Sequence, residues 1–246
     1  RHLRTIGSYG DGKGEFNEPY DILIQSDGGI VVVERYNHRI QFFDSNLVSL
    51  GWIGTRVSEL EDRLAQIYDT EPKLFPRPVF EFPTSLAKDS HGCFYLTDSG
   101  NHRVIKFDQQ WNIIGNLGMQ GAEVCQFEYP LCVTVGPQDY IYVTDLNNNR
   151  VQVFAHSGKF LFAFGEVSGS ESLSAPCLIA AGPDNKIFVA TTFEPTVSVY
   201  SLDPLANEDL DKALRQLYED DIETTFQHGQ NLEIADQDEA AFEIYG

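Results

Sequence analysis

With 246 residues, 42% of them hydrophobic, the chain can bury one substantial core. Its formal charge of −20 argues against a nucleic-acid binder, because phosphate contacts demand a basic footprint. No run of residues approaches the roughly 20 apolar positions that a membrane-spanning helix needs.

In chain order, Leu3-Arg4-Thr5-Ile6-Gly7 reads as an outer strand without the three that should precede it. After a Gly10–Phe16 loop, Pro19 opens a short apolar stretch, Ile22-Leu23-Ile24. An Asp27-Gly28-Gly29 turn follows, then Ile30-Val31-Val32-Val33, the turn Glu34-Arg35-Tyr36-Asn37-His38-Arg39, and a third strand, Ile40-Gln41-Phe42-Phe43. Residues Leu47 to Ile53 supply a fourth. The pattern recurs from Pro83, Pro130 and Pro176. Its second strands are Phe94-Tyr95-Leu96-Thr97, Tyr140-Ile141-Tyr142-Val143 and Ile187-Phe188-Val189. Its turns include Asp98-Ser99-Gly100-Asn101-His102-Arg103 and Asp145-Leu146-Asn147-Asn148-Asn149-Arg150. Arg39, Arg103, Arg150 and Thr196 each lie 20 positions after their proline. Short β-branched and aromatic runs bounded by Gly, Asp and Asn are strands, and a fixed repeat of them makes an array of sheets. The acid that ends the second strand can accept bonds from the turn's amides and from the Arg five residues on. Asn suits such a turn because it tolerates left-handed backbone.

Two segments fall outside the repeat. Residues 55–79 lengthen the link between the first and second units. Ser58 and Glu61 form a capping-box pair there, with Leu60, Leu64, Ile67 and Tyr68 at helical spacing and Pro72, Pro76 and Pro78 ending the helix. Residues 203–246 form an acidic extension in which Leu210, Leu214, Leu217 and Tyr218 make the stripe of a short amphipathic helix. The segment from Ser201 holds 13 acids and two bases, so it carries −11 of the net charge.

The repeat resembles the NHL repeat. The likeness is carried by Gly7-Ser8-Tyr9-Gly10-Asp11-Gly12-Lys13-Gly14-Glu15-Phe16-Asn17-Glu18-Pro19 and by the two Asn-His-Arg turns, and it spans about residues 3–202. Three units match well. The fourth departs, with Thr191, Glu194 and Thr196 in place of the Asp, Asn and Arg. The resemblance implies an all-β fold, a β-propeller of four-stranded blades, of which four are recognisable. It also implies that the ring is more often one of five or six blades. A closed four-bladed ring is the expectation tested below, with Leu3–Ile6 pairing outside Val197–Tyr200 as the missing outer strand. Residues 1–202 are then the propeller, interrupted at 55–79, and 203–246 its extension.

The candidate function is a non-catalytic protein-interaction platform. Cys93, Cys125, Cys132 and Cys177 show no C-x-x-C spacing, so neither a zinc ribbon nor a thioredoxin-type centre is indicated, and the thiols fit a reducing, intracellular setting. His38 and His102 belong to the turns, His91 and His156 to turns at the opposite end, and no His lies on an inner strand. No catalytic residue, metal ligand or cofactor is therefore assigned. Connectivity puts the Gly10–Phe16 loop, the 55–79 insertion and the signature turns on one face. Loops on a rigid scaffold are where binding residues concentrate, so Arg35, Tyr36 and Asn147 on that face, with Leu214 in the extension, are the candidate partner contacts. The alternative is a metal-dependent hydrolase or lyase working in the channel, where Asp21 and Lys88 are the inner-strand ionisable groups. RNA binding, as the resemblance to tripartite-motif NHL proteins implies, stands third because of the net charge.

The capping pair generates a first test. Ser58→Ala should weaken the 58–68 helix by roughly 0.5–2 kcal/mol, read as lost helical ellipticity in a peptide of the insertion.

Overall fold

The computed structural model describes residues 1–55, 79–165 and 172–201. The helices expected at 58–68 and around 210–218, Leu214 included, lie outside them.

Among the described residues, fifteen strands form four antiparallel sheets. The first blade is β1 (Pro19–Ile24), β2 (Ile30–Glu34), β3 (Arg39–Phe43) and β4 (Ser49–Ile53). The second is β5 (Pro83–Lys88), β6 (Phe94–Asp98), β7 (Arg103–Phe107) and β8 (Ile113–Leu117), and the third is β9 (Pro130–Val135), β10 (Ile141–Asp145), β11 (Arg150–Phe154) and β12 (Phe160–Phe164). The fourth has β13 (Pro176–Ala181), β14 (Lys186–Thr191) and β15 (Val197–Ser201). Each sheet runs in sequence order, so every blade is an up-and-down meander. The chain is an all-β, propeller-type array, as the spacing requires.

Every inner strand starts at its proline, which has no N–H to give to the ladder and therefore suits a first strand position. The residue before each one is held in left-handed backbone: Glu18 at φ 52°, Phe82 at 47°, Tyr129 at 65° and Ala175 at 51°. Each proline is cross-strand partner to the residue that ends the second strand, and in the first three blades that acid also faces the turn's Arg: Pro19, Glu34 and Arg39; Pro83, Asp98 and Arg103; Pro130, Asp145 and Arg150. Proline, acid and arginine thus mark one corner of the blade.

Blades pack face to face through three apolar seams. Val31, Ile40, Phe80, Leu96 and Phe107 fill the first, Tyr95, Leu117, Phe127, Ile141 and Phe154 the second, and Val151, Val153, Leu173, Ile179 and Ile187 the third. At roughly 1.5–3 kcal/mol for each fully buried large side chain, these seams dominate the stabilisation. Inner strands also pin one another. Asp21 Oδ2 accepts from the Leu86 N–H at 2.8 Å, Ser85 Oγ from the Val133 N–H at 3.3 Å, and the Cys132 thiol reaches the Ile179 carbonyl at 3.8 Å. All three side chains occupy the second position after the inner-strand proline. Leu178, at the same position of blade four, is 58% exposed.

The expected closure is not made. Leu3–Ile6 is unpaired, and among the described residues no strand lies outside β15. Gly7, at φ 78°, packs on the Phe16 ring, where an added Cβ would come within 2.3 Å of it, and Tyr9 bridges to Phe16. Gly118 and Gln120 make the same contacts to Phe127 directly after β8, a paired outer strand, so this anchor suits an outer strand and what Leu3–Ile6 lacks is a third strand beside it. Both ends of the arc expose apolar side chains, Ile22 and Ile24 on one and Val197 and Val199 on the other.

The corner ion pair and its absence from blade four give an internal comparison. Arg150→Ala, which strands the buried Asp145 carboxylate, should cost roughly 3–5 kcal/mol. Thr196→Ala at the matching position of blade four should stay within about 0.5 kcal/mol. Urea unfolding of the two variants checks both.

Candidate functional site

The signature turn is built inward around its acid. Glu34, Asp98 and Asp145 are completely buried. Glu34 accepts from Arg39 Nε at 2.6 Å, Asn37 Nδ2 at 2.6 Å and Gln41 Nε2 at 2.9 Å. Asp145 accepts from Arg150 Nε at 2.8 Å and Asn148 Nδ2 at 2.9 Å, and Asp98 from Arg103 Nε and Asn101 Nδ2, both at 2.9 Å. Burial pushes the Asp98 carboxyl up, while Arg103, Asn101 and the Glu81 N–H pull it back. The arginines reach on into the loop before the blade: Arg39 donates to the carbonyls of Asp11, Gly12 and Glu15, and Arg150 to those of Glu123 and Gln126. That fixes the Gly10–Phe16 loop on the signature-turn face, as connectivity requires.

The left-handed position of the turn is not the Asn but the residue after it: His38 at φ 51°, His102 at 54° and Asn149 at 55°. The Asn is committed to the acid. The left-handed residue instead latches the next blade. His38 Nδ1 lies 3.1 Å from the Phe80 carbonyl and 3.4 Å from the Phe82 N–H, His102 Nδ1 accepts from the Tyr129 N–H at 3.1 Å and Asn149 Oδ1 from the Ala175 N–H at 2.9 Å. Both turn histidines thus have structural partners.

Above the corners, the side chains turn outward. Arg35 extends over the upper ends of the inner strands. Its Nη2 donates to the Tyr129 hydroxyl at 2.9 Å, a contact that passes from blade one to the edge of blade three. Its guanidinium carbon lies 5.5 Å from the Tyr20 ring centroid, 5.6 Å from that of Tyr36 and 5.8 Å from that of Phe82. Glu18 stands 3.6 Å away. Burial raises the Tyr20 phenol, and Arg35 opposes that shift. Tyr20 and Tyr36 remain exposed, at 41% and 44%. Arg35 Nε and Glu18 Oε2 are buried with no hydrogen-bond partner among the described residues. Asn147, the counterpart of Tyr36 two blades on, is exposed, and its backbone N–H is held by the Glu128 carbonyl at 3.1 Å.

The structure therefore gathers Arg35 and Tyr36 into one aromatic rim and leaves Asn147 on the next turn but one. Sequence reading missed Tyr20, Phe82 and Tyr129. Their only signal was adjacency to an inner-strand proline. Of the two channel ionisable groups, Asp21 is taken up by Leu86 N–H and Ser85 Oγ, while Lys88 lies 5.3 Å over the Phe94 ring. All four cysteines are free thiols, and burial pushes Cys125 up to about 11. Among the described residues, no helix is long and apolar enough to cross a membrane.

A family model described as the NHL repeat matches residues 127–154. Protein brain tumor of Drosophila melanogaster is 26% identical over 163 residues, 65% of this chain and 14% of that protein. NHL repeat-containing protein 3 of Homo sapiens is 29% identical over 133 residues, 52% of this chain and 38% of that one. Peptidyl-glycine alpha-amidating monooxygenase of Mus musculus is 28% identical over 202 residues, covering 74% and 20%. The chain thus spans well under half the length of each of these relatives. Among solved structures, virginiamycin B lyase from Staphylococcus aureus superposes with a TM-score of 0.49 at 16% identity, covering 78% of this chain and 58% of that one.

The latch can be tested within the repeat's own vocabulary. His102→Ala leaves the Tyr129 N–H unpaired and should cost roughly 1–3 kcal/mol. His102→Asn copies the Asn149 solution and should recover most of that loss. Chemical denaturation of the two variants side by side is the measurement.

Proposed function

From the membership of this chain in the NHL-repeat family, we propose that it works as a non-catalytic protein-interaction platform whose binding face carries the signature turns. The observation that supports this reading is the rim around Arg35. An arginine set among Tyr20, Tyr36, Phe82 and Tyr129 has the composition of an interface hot spot, where Tyr, Trp and Arg carry most of the energy. The rings are rigid, amphipathic and held by a scaffold of buried corners, so little conformational entropy is lost on binding. Asn147 extends the contact surface along the same face. The 55–79 insertion, whose ends meet at the Thr55–Val79 bridge, is taken to add to that face. Leu214 supplies a second anchor from the extension, either on the propeller's edge or on the partner. Residues 1–202 form the platform, and 203–246 its docking extension.

Affinity capture with quantitative mass spectrometry tests the reading. Tyr36→Ala and Arg35→Ala should each weaken a reproducible partner by at least about 2 kcal/mol, roughly thirtyfold, with the melting temperature held within a few degrees. Leu214→Asp should abolish co-purification and leave melting unchanged. A partner retained by all three variants would overturn the assignment of this face. Turnover that survives removal of the extension would support the channel hydrolase or lyase instead.

A further inference from the structure

On the face opposite the signature turns, blades two and three converge on a group of side chains that the platform does not use. Asp89 follows β5 and is buried, Cys93 closes the short turn after it, and His156 comes from the turn after β11. One ligand atom from each, a carboxylate oxygen, the sulfur and a ring nitrogen, lie within 4.8 Å of one another. We propose that Asp89, Cys93 and His156 form a zinc-type metal site that clips blade two to blade three.

The donor set decides the class of ion. A thiolate, an imidazole and a carboxylate together suit a borderline-soft dication such as Zn²⁺, whereas Ca²⁺ and Mg²⁺ take oxygen ligands. Tetrahedral ligands at Zn–S and Zn–N distances of about 2.3 and 2.0 Å sit about 3.3–3.7 Å apart, so rotamer-scale movement closes the site. The second layer of contacts is already in place. Tyr95 OH donates to Asp89 Oδ2 at 2.9 Å, the Cys93 N–H donates to Asp89 Oδ1 at 2.8 Å, and Lys106 Nζ donates to the His156 carbonyl at 2.6 Å. Such outer contacts orient metal ligands. His91 packs on His156 with ring centroids 4.3 Å apart, and its side chain is 59% exposed.

His156 Nδ1 lies 2.7 Å from Asp89 Oδ2, so two of the three donors are already side by side. Burial, with the charge of Asp89 behind it, raises the Cys93 thiol. Cys93 would bind an ion as the thiolate, so binding displaces its S–H proton. Local charge favours it: Asp89 and Asp108 act on Cys93, and Asp139 lies 3.2 Å from His91, against the single ammonium of Lys106. The site is independent of the Arg35 rim, and its test involves no protein partner.

The test is titration of chelator-treated full chain with Co²⁺, followed by absorbance. One equivalent should bring up a thiolate-to-cobalt charge-transfer band, which Cys93→Ser abolishes and His156→Ala weakens. Tyr95→Phe should weaken binding roughly 10–100-fold while keeping the band. Zn²⁺ should raise the melting temperature of the unsubstituted chain and slow alkylation of Cys93 by iodoacetamide, mapped by mass spectrometry, relative to Cys125, Cys132 and Cys177. If Cys93→Ser fails to fold, protection of Cys93 in the unsubstituted chain decides. Absence of a charge-transfer band, its persistence in Cys93→Ser, or unchanged Cys93 alkylation under saturating Zn²⁺ overturns the proposal.

Discussion

A carboxylate completely removed from water is the constraint on which each of the first three blades depends. Left alone, such a charge is prohibitively costly. Here both oxygens are answered. The arginine five residues on neutralises it, the turn's Asn donates, and an N–H from the preceding loop, Asn17 for Glu34, Glu81 for Asp98 and Glu128 for Asp145, completes the shell. Because the arginine then spends its remaining donors on loop carbonyls, one ion pair ties together a strand end, a turn and the loop that enters the blade. Gln41 and Gln152 repeat the same device one strand further out. Blade four replaces the acid with Thr191, whose hydroxyl binds the Glu194 carbonyl. The corner keeps its shape there without a charge at its centre.

The consequence for recognition is that turn side chains divide into two populations. Those turned inward, Asn37, His38 and Arg39, are consumed by the scaffold. Those turned outward, Arg35 and Tyr36, are held at fixed positions by neighbours they do not need to contact strongly. A signature motif read from sequence therefore marks the scaffold, and the positions between its letters are those whose side chains turn outward.

Much of the fold was legible because its determinants are local. The four inner-strand prolines, the acid-to-arginine spacing and the alternation of turns and β-branched runs placed the strands, and β5 starts at Pro83 just as β9 starts at Pro130. What failed or was missed is non-local. The left-handed turn position passed from Asn to the next residue because the acid claims the Asn side chain. Leu3–Ile6 has the composition of an outer strand, but its register to β15 depends on the angle between blades, which no short segment encodes. Arg35 and Tyr129 are 94 residues apart, and Asp89 and His156 are 67 apart. Neither pair has a spacing rule, since only the stacking of successive sheets brings them together.

The seams join each blade only to its neighbours, and that has a kinetic meaning. An array coupled this way behaves as a one-dimensional chain of units, in which order spreads from a nucleus and is lost from the ends. Blades two and three, flanked on both sides and centred on buried carboxylates, are the natural nucleus. Blade four, with an uncharged corner and, among the described residues, no strand outside β15, is the unit whose amides are expected to exchange first with solvent.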